Sequence, residues 1–258
     1  MSRFVAPARQ FTRCSSSASS SVWIQRQRND PYVRQRQTAN EFVSRSAFKL
    51  VELDDKLNLI RPDMVLVDLG AAPGGWIQAA NRSLDGTGAI VGVDLLPLKL
   101  ANLGALEGVG FVKGDFLNPT TQAKLKQTLV AVTGKSNPRV DLVLSDMMAN
   151  TTGSTLRDSA LSLTLCESAL SFALETLSPS PISSYQLVMK HFTSNETKPF
   201  QSRLRQYFKV VKWIKPESSR KESREGFLVC GGLRPRDSWP REARDSENGS
   251  PPEDSLYF

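Results

Sequence analysis

Three places in the sequence put glycine or a carboxylate where a nucleoside-containing cofactor needs it. The loop Asp68-Leu-Gly-Ala-Ala-Pro-Gly-Gly-Trp76 follows the apolar run Met64-Val-Leu-Val, and its Gly70, Gly74 and Gly75 let the backbone approach a ligand closely. Asp94 closes the run Ala89-Ile-Val-Gly-Val-Asp94, where a carboxylate can accept from both hydroxyls of a ribose. Asp115 stands in Gly114-Asp115-Phe116, after a third short apolar run, within reach of an adenine amino group. The loop discriminates between cofactor classes. A dinucleotide site favours G-x-G-x-x-G with the pyrophosphate at a helix N-terminus. Here the spacing is Gly70-x-x-x-Gly74-Gly75 with Pro73 inside it, and no P-loop lysine follows. S-adenosylmethionine carries no phosphate and needs room for an amino-acid tail beside the loop, with acids for its ribose and adenine. It suits these residues better. A glycine turn without a ligand would explain the loop alone, but not the loop together with Asp94 and Asp115.

Lys190 is the second residue of chemical interest. It ends the apolar run Tyr185-Gln-Leu-Val-Met-Lys190, and a lysine closing a buried strand is unusual. His191, the only histidine, follows it directly. With no carboxylate pattern to orient it, His191 reads as a packed or hydrogen-bonded neighbour rather than a base. The three cysteines, Cys14, Cys166 and Cys230, form neither a CxxC nor a pairable framework, so no disulfide scaffold, structural zinc or other metal is expected.

The elements that must position these residues follow from periodicity. Short β-branched runs at Met64–Asp68, Ala89–Asp94, Gly110–Lys113, Val140–Asp146 and Tyr185–Lys190 alternate with helical spacing at Ser46–Leu57, Gly74–Ser83, Thr120–Val132, Leu156–Leu177 and Gln201–Tyr207. Two more strands are expected at Lys209–Ile214 and Gly226–Cys230. The alternation predicts an α/β fold, a doubly wound and mostly parallel seven-stranded sheet, with its sites at the carboxyl ends of the strands.

Six segments in order resemble the FtsJ (RrmJ-type) ribosomal RNA ribose 2′-O-methyltransferases. They are Ser44-Arg-Ser-Ala-Phe-Lys-Leu50, Val67-Asp-Leu-Gly-Ala-Ala-Pro-Gly-Gly-Trp76, Val93-Asp-Leu-Leu-Pro97, Lys113-Gly-Asp-Phe116, Leu144-Ser-Asp-Met147 and Lys215-Pro-Glu-Ser-Ser-Arg-Lys-Glu-Ser-Arg-Glu225. The resemblance covers about Asp30 to Leu233. It implies that the sheet is of the Rossmann-like S-adenosylmethionine-dependent methyltransferase type, with a catalytic tetrad at Lys49, Asp146, Lys190 and Glu225. It also implies cofactor contacts at Gly74, Trp76, Asp94, Asp115 and in part Asp146, with Gly75 in the same loop. Taken singly, Lys49 would read as a solvated helix lysine, Asp146 as a cap of the next loop, and Glu225 as a partner of Arg220 or Arg224. Two departures lie beside the tetrad. Met148-Ala149-Asn150 stands where the family often has Ala-Pro-Asn, and His191 follows the lysine where the family has an apolar or small residue.

The chemistry implied is an in-line displacement at a sulfonium methyl, which asks the protein to align an oxygen and remove its proton. A neutral lysine can take that proton. A free lysine, with a pKa of about 10.4, is almost wholly charged at neutral pH. Burial and a second ammonium such as that of Lys49 favour the neutral amine, whereas ion pairs to Asp146 or Glu225 favour the charged one. A charged Lys190 that stabilises the developing oxyanion is the alternative.

The ends of the chain differ from its middle. Residues 1–40 hold seven arginines, a serine tract from Ser15 to Ser21 and one acid, Asp30, the composition of a mitochondrial transit peptide. A basic arm that holds RNA is the competing reading. Residues 41–233 form the methyltransferase domain, and 234–258, rich in Pro, Ser and charge, are expected to be a disordered tail. The net charge of +7 points to a polyanion. Arg45, Lys212, Lys215, Arg220, Lys221 and Arg224 are candidate phosphate contacts. No RNP, KH or zinc-knuckle motif is present, and no apolar run approaches the roughly 18 residues that span a bilayer. With the leader, the resemblance implies the mitochondrial branch: a monomer in the mitochondrion that methylates a ribose, a uridine's, in large-subunit ribosomal RNA, within the subunit or its precursor, during ribosome biogenesis. The alternatives are an enzyme of the same type acting on transfer RNA or an mRNA cap, and an rRNA-binding assembly factor without catalysis.

Overall fold

The computed structural model describes residues 42–100, 106–150, 152–179, 181 and 183–240. The leader read over residues 1–40 and the chain beyond Pro240 lie outside them. Seven strands, β1 (Val65–Leu69), β2 (Ala89–Asp94), β3 (Val109–Lys113), β4 (Leu142–Ser145), β5 (Tyr185–Phe192), β6 (Phe208–Ile214) and β7 (Glu225–Leu233), form one sheet in the order β3-β2-β1-β4-β5-β7-β6. The first five run parallel, and β7 inserts antiparallel between β5 and β6. Among the described residues, five helices cover the sheet: α1 (Ala47–Leu57), α2 (Gly75–Ser83), α3 (Pro119–Thr133), α4 (Thr155–Thr176) and α5 (Thr197–Tyr207).

Strand alternation sorts the core onto the two faces. Val65, Val67 and Leu69 of β1 pack with Leu125, Cys166, Phe172 and Leu204 from α3, α4 and α5. Leu66 of the same strand packs with Leu50, Leu53, Ile77 and Ala80 from α1 and α2. Covered on both faces, β1 is buried throughout, which is why its sequence reads as a continuous apolar run. The strand order reverses between β1 and β4, and a ligand crevice opens outside the carboxyl ends of strands at such a point.

The structure moves several expected boundaries: α5 starts at Thr197 rather than Gln201, and β7 runs to Leu233 rather than Cys230. β5 continues past Lys190 to Phe192 because β7 pairs with it throughout, setting Lys190 opposite Phe227 and Phe192 opposite Glu225. The tail expected to be disordered from Arg234 is instead folded as far as Pro240. Arg236–Ser238 form a 3₁₀ turn, and Trp239 is buried edge-on against Tyr207 at 5.6 Å, with its indole N–H on the carbonyl of Arg234 at 2.9 Å. Composition averaged over residues 234–258 hid Trp239, the large apolar side chain that anchors the segment.

Candidate active site

β4 and β5 bring opposite charges to the crevice. β4 ends at Ser145, and Asp146 follows with its amide on the carbonyl of Leu69. Lys190 comes from β5, its Nζ 3.0 Å from Asp146 Oδ1 and donating to the Asp146 carbonyl oxygen at 2.6 Å. Lys49 reaches in from α1, and its Nζ lies 2.8 Å from Glu225 Oε1 at the start of β7. Both lysines are about 8% exposed. Thus the structure brings the four predicted residues together as two buried ion pairs. Lys49 is not a solvated helix lysine, Asp146 is not a loop cap, and Glu225 pairs with Lys49 rather than with Arg220 or Arg224.

The pairs couple. Burial pushes the Asp146 carboxyl up, but Lys190 and Lys49 together outweigh it and hold the group below the usual carboxylate range. Burial pulls the Lys49 ammonium down, and Asp146 and Glu225 outweigh that, so Lys49 sits above its ordinary value and stays charged at neutral pH.

The loop from β1 into α2 is shaped by close approaches. Gly70 has φ +84°, and a Cβ there would lie 2.9 Å from the backbone of Met147. Gly74, φ +115°, is the N-terminal cap of α2 and offers no side chain to the helix end. A Cβ on Gly75 would run into Ser44 Oγ. The amides of Gly75 and Trp76, the first of α2, are therefore without acceptors in their own helix. The indole of Trp76 is not at the site: it is 2% exposed, bonded to the carbonyl of Ser46 and packed on Phe227, so only its main chain can meet a ligand. Asp94 accepts from the amides of Ala72 and Leu96 and so also pins the loop. Asp115 lies at the end of the adjacent strand, its carboxylate accepting from Leu117 N at 2.9 Å.

Asp68 is the residue that the sequence reading passed over. It sits inside β1, fully buried, with neither carboxylate oxygen hydrogen-bonded among the described residues. Burial first, then the carboxylates of Asp146 and Asp94, push it well above the usual carboxylate range. The signal was present, an acid in a strand whose other residues are all apolar. An orphaned carboxylate is costly unless a cation completes it. Asp68, Asp94, Asp115 and Asp146 thus stand at the ends of four adjacent strands. Such a cluster repels phosphates and suits a cofactor that carries its own positive charge, so the residues present fit S-adenosylmethionine, with its ammonium and sulfonium, better than a dinucleotide.

The two departures from the family pattern have different fates. Met148 is exposed and lines a small cleft with Asn150, Ser162, Phe192 and Lys190. His191 is fully buried and bonded to Thr197, the packed neighbour that was expected. Among the candidate phosphate contacts, Lys215 is exposed and already bonded within the protein. Its ammonium donates to the carbonyls of Lys221 and Ser223 and closes the loop that leads into Glu225. Arg45 donates to the carbonyl of Ser218 in the same loop, while Glu52 of α1 accepts the amides of Glu217 and Ser218. Arg224 reaches the carbonyl of Thr193, and Lys212 the hydroxyl of Tyr185. Lys221 is exposed.

The model of the FtsJ-like methyltransferases matches residues 42–233. The chain is 41% identical over 219 residues to the ribosomal RNA large subunit methyltransferase E of Rhodopseudomonas palustris (strain BisB18), covering 84% of this chain and 85% of that protein. To the protein of the same name from a Polaromonas species it is 40% identical over 223 residues, covering 83% and 85%. The crystal structure of a Plasmodium falciparum protein named as a ribosomal RNA methyltransferase matches with a TM-score of 0.61 at 24% identity, over 74% of this chain and 97% of that one, a likeness of fold. With a matching family model over most of its length and these relatives, the chain belongs to the FtsJ-like methyltransferase family.

Proposed function

We propose that this enzyme transfers the methyl group of S-adenosylmethionine to the 2′-oxygen of a uridine in mitochondrial large-subunit ribosomal RNA, and that it serves ribosome biogenesis there. The observation that carries the reading is the buried double ion pair Lys190–Asp146 and Lys49–Glu225 beside a crevice walled by carboxylates. When bound, the cofactor supplies an activated methyl on a good leaving group. The amides of Gly74, Gly75 and Trp76 would hold its carboxylate, Asp68 its ammonium, Asp94 its ribose and Asp115 its adenine.

The two contacts from Lys190 to Asp146 orient its amine. One hydrogen is committed to the Asp146 carbonyl, and the carboxylate holds the same nitrogen as an ion pair, so the amine is anchored on one side. As a neutral amine, Lys190 would take the proton of the attacking hydroxyl on its lone pair. Lys49, held charged between Asp146 and Glu225, keeps Asp146 ionised, so that the orienting carboxylate does not itself take the proton. The family relatives named for the large ribosomal subunit support the substrate, and the arginine- and serine-rich leader supports the compartment.

Ribose methylation mapped along the organelle's large-subunit rRNA tests the reading. One site should disappear without the protein and return with it. Lys190→Ala should lower turnover by about a hundredfold or more, the usual yield of general acid–base catalysis, while cofactor affinity holds. Methylation lost from a transfer RNA or an mRNA cap instead would overturn the substrate. Residues 1–40 fused to a fluorescent protein should enter mitochondria, and a cytosolic or nuclear signal would overturn the location.

A further inference from the structure

Successive side chains of β5 point to opposite faces of the sheet. Lys190 faces Asp146, and His191 turns under α4 and α5, where it has no exposed surface. Its surroundings form a closed set of polar contacts. Cys166 Sγ of α4 lies 3.1 Å from the carbonyl oxygen of Lys190 and 3.8 Å from His191 Nδ1. His191 Nε2 lies 2.9 Å from Thr197 Oγ1, on the first residue of α5. Thr197 Oγ1 in turn accepts the amide of Ser194 at 2.9 Å.

One placement of hydrogens satisfies every member. The Ser194 amide donates to Thr197 Oγ1, and the Thr197 hydroxyl donates to His191 Nε2. The Nδ1–H donates to Cys166 Sγ, and the thiol donates to the carbonyl of Lys190. The relay runs in one direction and needs a neutral imidazole with its hydrogen on Nδ1. Burial supplies those forms: it lowers the imidazole and pushes the Cys166 thiol up to about 12. The relay ends on the main chain of the residue whose amine must meet the reacting hydroxyl. It joins three elements there, and Phe192 is tied to α4 as well, through Ser162 Oγ at 3.1 Å.

We propose that His191 is a positioning residue for methyl transfer: by linking Thr197 to Cys166 it fixes the end of β5, and with it the place of the Lys190 amine beside Asp146. The inference rests on the reading of Lys190 as the group that takes the hydroxyl proton. A phenylalanine at 191 would fill the space and leave Cys166 and Thr197 unlinked. A valine at 197 would remove only the hydroxyl, whereas a serine would keep it.

The experiment measures kcat, RNA KM, cofactor affinity and melting temperature for His191→Phe, Thr197→Val and Thr197→Ser, with Lys190→Ala as a separate arm. A displacement of 1 Å at a reacting group can cost about a hundredfold, so His191→Phe and Thr197→Val should lower kcat about tenfold or more, with RNA KM and cofactor affinity within about twofold. Thr197→Ser should keep the kcat of the parent. If His191→Phe does not fold, the Thr197 pair decides. A folded Thr197→Val with parental kcat, or equal losses in Thr197→Val and Thr197→Ser, would overturn the proposal. Parental turnover in Lys190→Ala would instead overturn the reading of Lys190, so the two failures are told apart.

Discussion

Asp68 and Asp146 are both buried acids, and their protons respond to burial in opposite ways. Asp146 has two lysines and stays ionised, so it contributes stability above the ordinary carboxylate pKa that is lost as pH falls through its depressed native value. Asp68 has no partner among the described residues, and its native pKa is raised. In the window between its ordinary and raised values the native state binds more protons than the unfolded one, so stability falls as pH rises through that window. Asp68→Asn should therefore stabilise the cofactor-free protein at pH 8, by on the order of 1–2 kcal/mol, and much less at pH 4. The same change should weaken S-adenosylmethionine roughly ten- to hundredfold, the scale of a hydrogen bond to a charged group. Melting curves at the two pH values and a cofactor titration check both halves, and a lower melting temperature for Asp68→Asn at pH 8 would refute the orphaned-carboxylate account. Substitution of Asp94 is a blunter probe, because its carboxylate also pins Ala72 and Leu96. The tetrad was legible from ordered motifs, since each member follows a fixed neighbour in sequence. Asp68 was not, because its importance lies in what it lacks. The partners of Lys215 were hidden for a related reason: whether an ammonium faces a phosphate or a carbonyl depends on how a loop folds back.

At the scale of elements, periodicity placed every strand and helix of the sheet, because parallel strands buried on both faces and helices with one apolar face leave plain patterns. What periodicity missed is set by partners distant in sequence. β5 gained two residues from its pairing with β7. The segment Arg234–Pro240 gained its place from a single tryptophan: Trp239 covers Tyr207 of α5, and the Arg236 guanidinium lies over its ring. Trp239→Ala should cost about 3 kcal/mol, at the lower end for a buried aromatic. Truncation after Leu233 should cost at least as much, since it also removes the amide of Arg234 from the carbonyl of Tyr207. Urea unfolding checks both, and an unchanged midpoint for the truncated chain would mean that the segment adds nothing to the fold. Neither change touches the crevice, so cofactor affinity should be the same in every form that remains folded.

The whole molecule sets how the RNA is chosen. Among the described residues there is one sheet with its helices and no second RNA-binding module. Several basic side chains around the crevice are already engaged with the protein's own carbonyls, and Lys215 is the plainest case. The contacts left to RNA come from exposed charge such as Lys221 and from whatever basic residues of the leader accompany the folded part, under a net charge of +7. Phosphate contacts hold an RNA without reading its sequence. On the proposed function, one nucleotide in a long rRNA must then be selected by shape, and a folded subunit supplies more shape than naked RNA. Labelled methyl incorporation should therefore be much greater into large-subunit particles than into matched amounts of protein-free rRNA. Each neutralised phosphate adds about 0.7–0.9 to the slope of log affinity against log salt, so activity at subsaturating substrate should fall steeply between about 50 and 200 mM salt. Lys221→Glu should flatten that slope and weaken binding on any RNA alike, without moving the methylated position. Equal incorporation at the same single nucleotide in particles and in stripped rRNA would defeat selection by shape. It would mean that the crevice reads bases directly, and the exposed Met148 and Asn150 beside Lys190 would be the first residues to change.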